Sequence, residues 1–355
     1  MMLERYRTRK AGKFVLYSMI LVFAGIMVML VVFIGAYRKV FQPNVNPSVD
    51  YAIFYIPTDS TYEYVLRELN RDGIIQDMKS FKWMAGKKGY PDHVKPGRYR
   101  ISRGMNNNEM VNMLRSGSQE PVLVVFNSVR TLADLAGKVS RYIEPDSLSL
   151  LDYFADPLTP AKYGLDEKDF TTIFIPDSYE FFWTTTPEQF TKRMKKESDR
   201  FWKGAREAKA DALGMTKEEV ITLASIVDEE TIHDDENARV AGLYINRLKA
   251  GIPLQADPTL KFAMGDFTRR RIINSDKQIS SPYNTYKYKG LPPGPISIPS
   301  VSAIDGVLNY EKHNYLYMCA KADFSGYHAF ARTLEQHGQN ARAYQRVLNQ
   351  KRIYN

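Results

Sequence analysis

The chain has 355 residues, 44% of them hydrophobic and 25% charged, which excludes a disordered chain and exceeds one small core, so two or three units are expected. Its 49 Lys and Arg against 40 Asp and Glu leave a net charge of +9, which favours nucleic acid, anionic lipid or an acidic polymer as surroundings. The single cysteine, Cys319, excludes an internal disulfide and a thiolate metal cluster.

From Phe14 to Tyr37 the chain reads FVLYSMILVFAGIMVMLVVFIGAY, 24 residues without a charge. At about 1.5 Å per helical residue this crosses a bilayer core of about 30 Å. A cleaved signal peptide has a shorter apolar core, about 7–15 residues, and a small-x-small cleavage site. A retained anchor is therefore expected. Arg5, Arg7, Arg9, Lys10 and Lys13 precede it and only Arg38 and Lys39 follow closely, so the amino end stays cytoplasmic. Everything beyond the anchor is then extracytoplasmic, which removes nucleic acid as a partner. This divides the start of the chain into a basic tail (1–13), a transmembrane helix (14–37) and a Pro- and Asn-containing linker (38–49).

YAIFYIP alternates as a strand, and STYEYVLRELNRDGII places Tyr64, Val65, Leu69 and Ile74 on one side of a short helix that Gly73 can end. KPGRYRI (95–101) reads as a turn and strand, and MNNNEMVNMLRSG (105–117) as a helix closed by glycine. Together they make a small binding or spacing module over 50–120. EPVLVVFN (120–127) has the β-branched density of a buried strand, and helical patterns cover 131–151 and 187–212. Between those helices FTTIFIPDSYEFFW turns at Pro176 and Asp177 among large aromatics, either core rings or a sugar platform.

Thr216 and Glu219 form a capping-box pair ahead of an apolar run. On that helix Leu223, Val227 and Glu230 follow one-turn spacing, so of the acids Asp228, Glu229 and Glu230 the last extends the apolar stripe. A carboxyl among apolar neighbours loses solvation on ionising, so its pKa rises and it can act as an acid. The structural alternative is an ion pair from Glu230 to Arg239 or Arg247. His233 follows without an HExxH spacing, which makes a metal site a weak reading. RVAGLYINRLKAG forms an amphipathic helix with Val240, Leu243, Tyr244 and Leu248 for packing, and the chain turns at Asp257 and Pro258. The Pro-, Gly- and Tyr-rich 281–300 segment is either a rigid wrap or a groove wall. LYMCAKADFSGYHAFAR reads as a hairpin with His328 and Phe330 on one face, and a basic helix from about Leu334 to Lys351 packs through Tyr344, Val347 and Leu348.

LASIVDEET, then VAGLYINRLKAGIPLQADPTLKFAMG, SPYNTYKYKGLPPGPISIP and YHAF, in that order, resemble the MltG/YceG family of endolytic murein transglycosylases. The likeness runs from the anchor to the chain's end. It implies an α+β fold: a single transmembrane helix, a small LysM-like module (50–120) and a mixed α+β YceG-like lytic domain (121–355). It implies a membrane-anchored lyase of the inner membrane, acting on peptidoglycan glycan strands without cofactor or metal, beside wall-synthesis and division proteins. The bond would be the MurNAc-β-1,4-GlcNAc linkage, leaving 1,6-anhydro ends; a non-catalytic wall-binding or division scaffold is the alternative. The family's catalytic glutamate, in Glu-Lys-Glu-Thr, falls on Glu230 of Asp-Glu-Glu-Thr. Gln255, Asp257, Asn284, Tyr286, His328 and Tyr179 are implied beside the substrate. TTIFIPDSYEF departs from the family's acidic-glycine-aromatic approach to a Pro-Asp-Thr-Tyr-like segment.

Overall fold

The computed structural model describes residues 2–48, 50–269 and 271–351; the side chains of the basic tail, 1–13, lie outside the described residues. The architecture is α+β, in two compact units: Met1–Val122 with Phe182–Thr184, and Leu123–Phe181 with Thr185–Asn355.

The first unit opens with helix α1 (Met2–Phe41), whose Phe14–Phe41 stretch has a mean hydropathy of 2.9 and is long and apolar enough to cross a membrane. Strand β1 (Tyr51–Ile56), helices α2 (Tyr62–Arg71) and α3 (Met78–Lys87), strand β2 (Gly97–Ser102) and helix α4 (Asn107–Ser116) follow. β1 and β2 pair antiparallel, Tyr51 opposite Ser102 and Ile56 opposite Gly97. Alternation turns Phe54, Ile56, Tyr99 and Ile101 into one core with Val65, Leu69 and Phe81 of the helices. The Thr61 hydroxyl caps α2; an Asn106–Glu109 capping box starts α4, and Gly117 ends it in the left-handed conformation. α3 has no counterpart among the sequence expectations; its start signal is Asp77, which accepts from the amides of Lys79 and Ser80. The stretch read as a linker adheres to this unit: Pro43 bridges Asn106, Val45 bridges Ile75, and buried Asn44 bonds to Asn107 and the Asp77 carbonyl.

In the second unit, β3 (Val122–Phe126) pairs with β4 (Asp177–Phe181) around helices α5 (Leu132–Val139) and α6 (Ser147–Ala155). β3 is half-buried rather than buried: Val124 and Phe126 face the core, while Leu123 and Val125 face out. The helical stretch expected over 131–151 breaks between α5 and α6, where Asp146 caps a new helix. The stretch expected over 187–212 splits into α7 (Pro187–Trp202) and α8 (Ala205–Leu213), because Gly204 takes φ +90° between them.

Helices α9 (Lys217–Glu230), α10 (Asn237–Lys249), α11 (Asp257–Met264) and α12 (Val301–Leu308) form the centre of this unit. α9 is not a one-sided helix: every residue from Val220 to Val227 is buried, as a helix apolar on all faces requires. Its buried Ser225 is satisfied, donating to the Thr222 carbonyl and accepting from the Ile296 amide. α12 approaches α10 closely enough that a Cβ on Gly306 would lie 2.8 Å from the Cβ of Asn237. The hairpin β5 (Tyr317–Ala320) and β6 (His328–Ala331) forms antiparallel as read from sequence, and α13 (Leu334–Gln350) packs on it.

Candidate active site

The three acids that end α9 have three different environments. Asp228 accepts from the Ser300 hydroxyl, and burial raises its pKa. Glu229 turns to the surface and pairs with Arg130, whose Nε and Nη2 each reach its carboxylate at 2.9 Å. Glu230 faces a cavity of about 560 Å³ and accepts a 2.8 Å hydrogen bond from the Tyr244 hydroxyl. Burial pushes Glu230 up to about 7; the Tyr244 bond pulls the other way, and the negative charge of Asp257 adds to the rise. Neither ion pair considered for Glu230 forms: Arg239 pairs with Glu311, and Arg247 donates to Gln255 and to the Pro253 and Leu316 carbonyls.

α10 carries Tyr244 and Arg247 on the face toward Glu230, and the turn before α11 brings in Gln255 and Asp257. Gln255 sits at φ +55°, an uncommon conformation for a residue with a side chain. Its amide donates to the Thr285 carbonyl at 3.0 Å, and its side-chain oxygen accepts from Arg247 at 2.6 Å. Thr285 also accepts from the Ala256 amide and bonds to Thr259, so the loop of 281–300 fastens this turn. From that loop Tyr286 reaches the cavity and donates to Asp257; burial and the Asp257 bond raise its pKa, so the phenol stays protonated. Lys277 Nζ stands 4.9 Å over the Tyr286 ring.

The hairpin supplies the opposite wall through Tyr317, Cys319 and His328. His328 is fixed by Glu236, which accepts from its backbone amide at 2.8 Å and contacts its Nδ1 at 2.7 Å. Burial works to raise the Glu236 pKa, but the bonds from His328 and Thr231 outweigh it and hold it below the ordinary value. His337 of α13 also lines the cavity, stacked on Tyr317.

Glu230, Gln255, Asp257, Tyr286 and His328, named from sequence, thus meet at one cavity. Asn284 and Tyr179 do not line it. Asn284 is fully buried, its amide donating to the Lys277 and Ile279 carbonyls, so it shapes the loop. Tyr179 packs on Phe126 and donates to the Ile175 carbonyl at 2.7 Å, a core position that favours core rings over a sugar platform. A larger cavity, of about 770 Å³, opens at the amino end of α9 between Thr216, Leu248 and Pro292; none of the residues carried over from the resemblance lines it.

Tyr244, Arg247 and His337 on the cavity wall, and Glu236 behind His328, have no such role among the sequence expectations. Sequence assigns Tyr244 a packing role and Arg247 an ion pair; the signal available is that the two lie about one turn apart on the helix following the acids. Glu236 had no local signal, since its partner His328 is 92 residues away.

The YceG-like family model matches residues 54–343. An endolytic murein transglycosylase of Bacillus subtilis (strain 168) is 27% identical over 331 residues, covering 88% of this chain and 90% of that protein. An endolytic murein transglycosylase of Streptococcus pneumoniae (strain D39) is 27% identical over 82% of this chain; the match spans 58% of that longer protein. A crystal structure of a yceG-like protein from Listeria monocytogenes, 26% identical, superposes with a TM-score of 0.55 over 82% of this chain and 98% of that one. With the matched region extending from β1 through most of α13, the chain belongs to the YceG-like family.

Proposed function

We propose that this protein is a membrane-anchored lytic transglycosylase that cleaves the MurNAc-β-1,4-GlcNAc bond within peptidoglycan strands and leaves 1,6-anhydro ends. The observation that carries the reading is Glu230: a carboxyl held near pKa 7 at the wall of a polar cavity can be protonated to begin a reaction and ionised to finish it. Its proton passes to the leaving glycosidic oxygen as the bond to C1 breaks. The resulting carboxylate takes the proton of the muramyl C6 hydroxyl as that oxygen bonds to C1, which regenerates the acid and consumes no water. Tyr244 orients the carboxyl, while Gln255, Asp257, Tyr286 and His328 contact the sugars. Asp257 is the rival for a hydrolytic second carboxylate, but its hydrogen bond from Tyr286 engages it already.

The apolar helix anchors the chain in the cytoplasmic membrane, with the amino end inside and the chain after the helix on the wall side. The strand–helix–helix–strand order of residues 51–102, with its antiparallel pair, supports a LysM-like glycan-binding module. Digestion of long uncrosslinked strands tests the whole reading by mass spectrometry, since an anhydro end is lighter than a hydrolysed end by one water. Intermediate-length anhydro chains are expected early; hydrated ends would overturn the chemistry, and stepwise disaccharide release would overturn internal cleavage.

A further inference from the structure

Arg247 is 94% buried, with 6% of its surface exposed, yet it lines the cavity that holds Glu230. Its hydrogen bonds go to neutral oxygens: Nε to the Pro253 carbonyl at 2.9 Å, Nη1 to the Leu316 carbonyl at 2.7 Å and Nη2 to Gln255 Oε1 at 2.6 Å. These three acceptors hold the guanidinium plane in place and leave N–H groups over, since the fork has more donors than they use. A buried cation is ordinarily matched by an anion, because leaving it unmatched costs several kcal/mol. Among the described residues, the acids nearby are otherwise engaged. Glu230 accepts from Tyr244, Asp257 accepts from Tyr286, and Glu236 is paired with His328. The phenols beside Arg247, Tyr244 and Tyr286, hold their protons. His337 contributes no counter-charge either, burial and the Arg247 charge both favouring its neutral ring. The site is also built at a cost, with Gln255 kept at positive φ where its side chain meets the guanidinium.

We propose that Arg247, aligned by Gln255, is a carboxylate-recognising residue of the cavity, the missing anion being a carboxylate of the glycan strand itself. The proposal rests on the transglycosylase reading and gives it a specificity. A muramyl unit offers that chemistry from two sources, the lactyl ether of a peptide-free sugar or a free carboxylate of an attached stem peptide. A planar fork on a rigid base suits either one, because carboxylates accept two parallel N–H bonds.

The test compares strands with native carboxylates against the same strands converted to methylamides, with and without stem peptides. Binding is measured on full-length Glu230→Gln protein in detergent, so that no turnover interferes. Carboxylated strands are expected to bind roughly 10–100-fold more tightly than methylamidated ones, the range of a hydrogen bond to a charged group. Arg247→Gln should bring that ratio to about one; Arg247→Lys, which keeps the charge and loses the fork, should retain part of it. A preference confined to peptide-free strands assigns the carboxylate to the lactyl ether, and one confined to peptide-bearing strands assigns it to the stem. Equal affinity of the Arg247 protein for carboxylated and methylamidated strands overturns the proposal, and this arm needs no Arg247 variant to fold. A ratio that survives Arg247→Gln overturns it as well. Absence of anhydro ends from catalytically intact protein, with the carboxylate preference kept, would overturn the reaction and leave the binding site standing.

Discussion

The first unit buries a polar cluster at Asn44, Ser80 and Asn107, and the second sets one at Glu230, Tyr244 and Arg247 on a cavity wall, with opposite accounts. In the first, Asn44 donates to Asn107 and to the Asp77 carbonyl, the Asp77 amide donates back to Asn44, and Asn107 donates to Ser80 and to the Lys39 carbonyl. All members are neutral and their needs are met within the fold, so the cluster ties the chain leaving α1 to α3 and α4. In the second, an acid keeps its proton near neutral pH and a guanidinium has no carboxylate partner among the described residues. A satisfied cluster holds structure. One left short of partners holds work for a ligand.

The largest effect expected to sharpen that contrast is loss of turnover in Glu230→Gln, about 10²–10⁴-fold, as removal of a general acid entails. Unchanged production of anhydro ends would reject Glu230 as the acid and with it the functional half of the comparison. The same substitution should stabilise the fold in alkaline buffer. The Glu230 pKa is raised on folding, so folding favours its protonated form; stability falls as pH rises from about 4.5 to about 7 and stays lower above. Glu230→Gln lacks that loss, and denaturation at pH 8 should find it more stable by about 1–3 kcal/mol, with the gain gone below pH 4.5.

Asn107→Ala should behave in the opposite way. It removes the donor to the Lys39 carbonyl and one of the partners of Asn44, so it should cost about 1–3 kcal/mol of stability in a denaturant titration while the surviving folded protein keeps its kcat. Loss of kcat with stability intact would erase the distinction between the clusters.

Tyr244→Phe offers a smaller, graded change. Its hydroxyl bond favours the charged form of Glu230, so its removal should move the alkaline limb of kcat/KM, expected near pH 7, to higher pH by about half a unit to one unit. A limb that stays in place means another group sets it. The smallest effect belongs to Arg130→Gln, which breaks the exposed pair with Glu229. Its cost should be within about 1 kcal/mol, with kcat unchanged, because solvent screens such pairs.

Much of this architecture was legible before any coordinates, wherever the signal was local. The apolar run of α1, the Thr216–Glu219 box at the start of α9, the glycine that ends α4 and the β5–β6 hairpin each depend on residues a few positions apart. The ordered motifs likewise pointed to the family and singled out Glu230 among three adjacent acids. The helix breaks at 140–146 and at Gly204 also had local signals, Pro145 with the Asp146 cap and the glycine itself, which the long helical patterns on either side outweighed.

The fate of each acid was a tertiary matter. Asp228, Glu229 and Glu230 are neighbours in sequence, yet they answer to Ser300, Arg130 and Tyr244, at separations of 72, 99 and 14 residues. Periodicity also described α9 as one-sided, when packing against α10 and α12 buries Val220–Val227 on every side and leaves Glu230, at the end, facing the cavity. Tertiary contacts also hold Asn284 inward through the Lys277 and Ile279 carbonyls and Tyr179 through Phe126 and the Ile175 carbonyl, and bring Arg247 to the cavity. Sequence therefore determined which groups were available and which local elements carry them, because helix caps, turns and apolar periods act over a few residues. Which carboxyl keeps its proton, and which cation is left without an anion, was decided by the fold, since desolvation and charge depend on neighbours that only the folded chain brings together.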